Sequence, residues 1–118
     1  MQKIDITIPK CDYLGIPFIY KVNGKQNKLK ENDIIYFSVK ENLSDKDYII
    51  QKTLNNGIEY KEQENKYYIT FNYDDTKNLA IGSTYIYDLT IYYNGNKPVQ
   101  KIYGNIKIGP KVTLNEVI

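Results

Sequence analysis

At 118 residues, with 42% hydrophobic and 25% charged side chains and a formal net charge of +2, the chain has the size and balance of one ordinary globular domain. It contains no histidine and a single cysteine, Cys11, which excludes a Cys/His zinc site, an intramolecular disulfide and Ser-His or Cys-His nucleophile pairs. No apolar run of about 18 residues and no charged-then-apolar leader predicts a membrane span or signal peptide, and the lack of arginine counts against nucleic-acid readout.

Residues 3–8 alternate Ile4, Ile6 and Ile8 with polar partners, predicting a first strand ended by Pro9. Residues 15–22 predict a second, with Ile16, Phe18, Tyr20 and Val22 on one face; Asn23-Gly24 closes it and a lysine-rich loop runs to Asp33. The third, at 34–41, turns Ile35, Phe37 and Val39 inward and Tyr36, Ser38 and Lys40 outward. An Asn/Ser/Asp turn over 42–47 precedes a strand at 48–53. After the Asn55-Asn56-Gly57 turn come a short charged edge strand at 58–62 and a strand at 66–72, with Tyr67, Ile69 and Phe71 inward. Asp74 or Asp75 is expected to cap a single helical turn over 74–78, anchored by Leu79 and too short to be a helix of its own.

The strongest pattern is residues 84–93. Tyr85, Tyr87, Leu89, Ile91 and Tyr93 share one face, while Thr84, Asp88 and Thr90 share the other. Asn94-Gly95 suits a two-residue hairpin, which would set Tyr87 beside Ile102, Ser83 beside Ile106, Asp88 beside Lys101 and Ile86 beside Tyr103. Pro98 cannot donate to the ladder and is where this register meets resistance. Ile106, Ile108 and residues 112–118 then extend the last strand or form a tail. The whole predicts an all-β, immunoglobulin-like antiparallel β-sandwich of seven or eight strands, one domain over 1–118 with 110–118 as a C-terminal tail. An immunoglobulin order would lay the third, sixth and seventh strands side by side. Leu79, Gly82 and Tyr85 have the spacing of a tyrosine corner; a plain core aromatic is the other reading of Tyr85.

Chemistry-bearing patterns are sparse. Asp45/Asp47 and Asp74/Asp75 are carboxylate pairs in loops, but neither loop has the spacing and glycine of a calcium-binding EF-hand, so they read as caps and turns. No spacing singles out a glycosidase pair. Cys11, beside Lys10, reads as an inert thiol. Lys21, Lys25, Lys28 and Lys30 form a solvated loop without the interleaved aromatics that single-stranded nucleic acid needs. No catalytic residue, metal or cofactor is expected, and the chain reads as a non-enzyme. Tyrosine is the informative excess, 13 of 118 residues. Most fall on inward positions, whereas Tyr36, Tyr92 and Tyr103, with Ile86 nearby, fall on one outer sheet face and form a candidate interaction face. Scattered surface aromatics on well-formed strands are the plainer alternative. Exposed strand edges offer a second route to a partner chain.

Three stretches, ITIPKCDYLGIPFIY, IIYFSVKEN…YIIQK and TKNLAIGSTYIYDLTIYY…KIYGNIKI, together resemble the immunoglobulin-like N-terminal domain of phage baseplate upper proteins and related prophage tail proteins. Gly82, Tyr85, Tyr87, Asp88 and Leu89 match that family's G-x-Y-x-Y-D-hydrophobic strand, and Gly104 fits its glycine-containing last strand. Asp12 matches the early Gly-Asp-Thr, but Cys11 and Tyr13 stand where glycine and threonine are expected. The resemblance covers roughly residues 3–109. It implies a structural module of a virion tail or tail-like particle, assembled in the bacterial host cytoplasm. Its partners would be other tail or baseplate proteins or further copies of itself, docked through sheet faces or edges, with neither nucleic acid nor membrane as partner. A carbohydrate- or cell-surface-binding module and a small host-interaction protein of a mobile element are the rival expectations.

Overall fold

The computed structural model describes residues 2–110. The strands are β1 (Gln2–Lys3), β2 (Ile6–Pro9), β3 (Leu14–Phe18), β4 (Tyr20–Val22), β5 (Lys25–Asn27), β6 (Ile34–Lys40), β7 (Ile50–Leu54), β8 (Gly57–Lys61), β9 (Lys66–Phe71), β10 (Thr84–Tyr93) and β11 (Lys97–Gly109). One helical turn, α1 (Tyr73–Thr76), precedes β10. One sheet runs β1/β2–β11–β10–β6–β7, the other β7–β8–β9–β3. The third, sixth and seventh strands of an immunoglobulin-like sandwich (β6, β10 and β11) do lie side by side, and β3–β9–β8 form the facing sheet. The expected antiparallel order is broken at two places. β1 and β2 run parallel to β11, and β7 pairs antiparallel with β6 through Ile50 to Lys52 before turning to pair parallel with β8. That corner strand joins the two sheets along one flank and leaves the opposite flank open.

The core is where the alternation places it. Ile35, Phe37 and Val39 of β6 and Tyr87, Leu89 and Ile91 of β10 meet Tyr67, Ile69 and Phe71 of β9. Phe37 crosses between the layers, with ring centroids 5.6 Å from Phe71 and 5.5 Å from Tyr87. Each such ring buried stabilises the fold by about 1.5–3 kcal/mol.

The described residues form eleven strands instead of seven or eight because two expected strands divide and one expected loop contains a strand. The first strand breaks at Ile4 and Asp5, the second breaks at Ile19, and the lysine-rich loop contains β5, which pairs with β4 across Asn23-Gly24. This small hairpin folds against the β8–β9 turn: Lys28 pairs with Glu62 at 3.3 Å and lies over the Tyr60 ring, and the Leu29 N–H donates to the Tyr67 hydroxyl at 2.6 Å. The helical turn starts a residue earlier than expected, and its cap is Asn72 instead of either aspartate. The Asn72 side chain accepts from the N–H groups of Asp74 and Asp75 while Asp75 accepts from the Asn72 N–H, a reciprocal capping box.

The β10–β11 register also needs correcting. Tyr93 opposes Lys97, so the loop holds Asn94, Gly95 and Asn96, and Val99 then bulges out between Pro98 and Gln100. Each extra residue shifts the pairing by one, and Tyr87 lies opposite Gly104, not Ile102. Two shifts restore the face, because side-chain direction repeats every second residue. The inward set therefore survives a wrong register. The expected tail beyond Pro110 lies outside the described residues.

The break in the first strand has a specific cause. The Ile4 N–H donates to the Tyr103 carbonyl at 2.8 Å, its own carbonyl accepts from the Tyr87 hydroxyl at 2.5 Å, and Asp5 accepts from the Asn105 N–H at 2.9 Å. The chain can come this close only because residue 104 is glycine: a Cβ there would stand 2.1 Å from the Ile4 oxygen. The tyrosine expected to tie a corner was Tyr85. Its ring only packs on the core margin, and the long-range tie is made two residues later by Tyr87. Gly82, at φ +91°, and Leu79 do form the bend that leads into β10, with the Gly82 N–H donating to the Ile108 carbonyl. Cys11 adopts φ +65°, a region that glycine occupies most cheaply, and its N–H donates to the fully buried Thr76 hydroxyl at 2.7 Å.

Candidate interaction surface

Outward-pointing residues of β6, β10 and β11 form one continuous face. Ile34 of β6 pairs with Tyr92, Tyr36 with Thr90, Ser38 with Asp88 and Lys40 with Ile86. Across the next seam Thr90 pairs with Lys101, Asp88 with Tyr103 and Ile86 with Asn105. The structure thus places all four expected residues on the same face but does not gather them into one cluster. Tyr36 and Tyr92 make an edge-to-face pair with centroids 6.2 Å apart. Tyr103 lies one strand further over, beyond Asp88, and Ile86 sits at the other end between Lys40 and Asn105. Tyr36 is 36% exposed and Tyr103 37%, so each ring presents surface to solvent while its base is packed. Thr90 points outward yet is only 8% exposed, flanked by its partners Tyr36 and Lys101. Lys101 reaches diagonally to Asp88 at 3.8 Å, a loose pair in place of the directly opposed one expected.

Ile34, 38% exposed beside Tyr92, belongs to this face and was missed. Its position two before Tyr36 was the available signal, hidden because Ile34 and Ile35 read together as an apolar strand start.

The remaining polar groups are used structurally. Lys52 is 8% exposed and its ammonium lies 3.0 Å from Asp75, whose same oxygen accepts from the Asn72 N–H. Asp74 pairs with Lys77 at 3.2 Å, and Asp45 caps the Asn42 N–H. Among the described residues no group of three or more His, Cys, Asp or Glu side chains could hold a metal ion, and no helix is long and apolar enough to cross a membrane. Three buried phenols are held above their ordinary range, each chiefly by burial. Asp5 adds to the effect at Tyr87, and Asp33 and Tyr93 add at Tyr20. At Tyr67 the Leu29 N–H pulls the other way without cancelling it. None of the three faces the outer surface of β6, β10 and β11. No protein-family model matches the chain, and no curated protein matches it in sequence.

Proposed function

We propose that this domain is a non-enzymatic assembly module that docks protein subunits through the outer face of β6, β10 and β11. The supporting observation is the Tyr36–Tyr92 edge-to-face pair, with Tyr103 and Ile34, on a sheet face that no other strand or helix among the described residues covers. Tyrosine suits that task because it buries a large area with two rotatable bonds and keeps a polar tip that water can satisfy before docking. The setting in a phage or prophage tail rests on the sequence resemblance alone, an analogy of family and not of site.

The test is solution mass by analytical ultracentrifugation over a concentration series, for the wild type and for a Tyr36→Ser, Tyr103→Ser double variant. A discrete trimer or hexamer that the double variant loses, with an unchanged far-UV circular dichroism spectrum, supports assembly through this face. An oligomer that survives the substitutions moves the interface elsewhere and overturns the assignment. A wild type that stays monomeric throughout overturns self-assembly through it.

A further inference from the structure

The flank opposite the β7 corner carries a cleft of about 470 Å³ between the two sheets, walled by Ile4, Ile6 and Ile102 on one side and by Ile16 and Phe18 on the other. The two strands that bound it, β2 and β3, each have a partner strand on one side only among the described residues. Their free edges are not equivalent. β3 carries Pro17, which has no N–H to give to an added strand. On either side of β2 the Ile4 and Lys10 N–H groups donate to the Tyr103 and Gly109 carbonyls, and between them Ile6 and Ile8 pair with Ile106 and Ile108. The even-numbered residues therefore direct their backbone groups at β11. Successive residues of a strand turn theirs to opposite sides, so Thr7 presents its N–H and C=O to the open flank. A free edge beside an apolar wall suits one more strand, with its backbone bonded to β2 and its alternate side chains laid over the isoleucines.

The nearest candidate strand belongs to the chain itself. β11 ends at Gly109, paired with Pro9 at the end of that edge. Residues 111–118 follow, and there Val112 and Leu114 alternate with Thr113 and Asn115, as a strand with one covered face requires. Because β2 runs parallel to β11, a chain that reverses after Gly109 runs antiparallel to β2. The nine residues from Pro110 to Ile118 reach about 30 Å when extended. Crossing two strand spacings takes about 10 Å, and the run from the level of Pro9 to that of Ile4 about 17 Å. The length suffices. Tethering also holds this segment beside the edge at an effective concentration on the order of millimolar, an advantage that no separate chain has.

We propose that residues 111–118 dock back on this flank as a strand added to the free edge of β2, with Val112 and Leu114 seated over the cleft.

The test is NMR on the full chain, wild type against a Val112→Asp, Leu114→Asp double variant, with unchanged exchange of the Phe37 and Leu89 amides as the check that the variant is folded. The Thr7 N–H is expected to exchange with solvent at least about tenfold more slowly in the wild type than in the variant. The wild type alone is expected to show Overhauser cross-peaks from the Leu114 methyls to those of Ile4, Ile6 or Ile16. Leu114→Asn replaces the double variant should that fail to fold. Equal Thr7 exchange in the two chains, or a wild type without these cross-peaks, would overturn the proposal. Cross-peaks found only between differently labelled chains in a mixed sample would overturn it as well, since a second copy would then supply the strand. All readouts lie on β2 and the cleft walls, so a failure here leaves the reading of the tyrosine face standing.

Discussion

The two flanks of the sandwich solve the same geometric problem in opposite ways. At the β7 corner one strand passes from sheet to sheet, and the polar groups that the bend strands are gathered into a staple: Lys52 onto Asp75, Asp75 onto the Asn72 N–H, and Gly57 left without a side chain where a Cβ would stand 2.7 Å from the Lys52 stem. Among the described residues no strand crosses at the opposite flank. That flank is held by the close approach of Ile4 and Asp5 to β11 and by the Tyr87 hydroxyl donating to the Ile4 carbonyl. A closed corner can carry a buried charge because its partner is fixed nearby. An open seam must stay apolar and rely on close backbone approach.

Gly104→Ala tests that difference most severely. The added methyl has to displace the Ile4 backbone, not a flexible side chain, which breaks the Tyr87 tie and peels β1 from β11. Urea unfolding is expected to show a loss of about 3 kcal/mol or more. A loss below about 1 kcal/mol would mean that the seam tolerates separation and that the Ile4 approach matters little.

At the corner the expected effect is smaller and asymmetric. Asp75→Ala leaves the Lys52 ammonium buried without its partner and also removes half of the capping box, so about 2–3 kcal/mol should be lost. Lys52→Met keeps the stem that packs beside Gly57 and Phe71 and leaves Asp75, which is 19% exposed at its side chain, bonded to Asn72 and water; under about 1 kcal/mol should be lost. Equal losses would show that the ion pair itself, not the stranded charge, carries the stability.

How much of this was legible in the sequence follows from what each feature depends on. Period-two alternation writes a core directly, so Phe37, Tyr67, Ile69, Phe71 and Leu89 could be read from spacing, and the face that holds Tyr36, Tyr92 and Tyr103 could be read as their complement. Register could not, because it depends on one additional loop residue and the Val99 bulge, neither of which changes the alternation. Long-range approaches were also invisible. Nothing near Gly104 in sequence announces Ile4, and nothing near Lys52 announces Asp75, so both the seam tie and the corner staple appear only once the chain is folded. The cleft shares that origin: its walls come from strands far apart in the chain.

The smallest expected effect compares two buried tyrosines. Tyr87 spends its hydroxyl on the Ile4 carbonyl, whereas Tyr20, 1% exposed, has no hydrogen-bond partner for its hydroxyl among the described residues. Tyr87→Phe should therefore lose about 1–2 kcal/mol by leaving that carbonyl unsatisfied, while Tyr20→Phe should lose nothing or gain up to about 1 kcal/mol by removing an unpaired polar atom. Alkaline pH separates them further. Both phenols are raised in the folded state, so the stability they contribute is complete below the unfolded value of about 10 and drains away as pH climbs through their folded values. Phenylalanine cannot ionise, so each variant should show a shallower fall in melting temperature above about pH 10 than the wild type. At neutral pH Tyr20→Phe should match or exceed the wild type and Tyr87→Phe should fall below it. If instead Tyr20→Phe were the more damaging at neutral pH, its hydroxyl would have to be bonded in solution, and the small β4–β5 hairpin would owe its position to that bond.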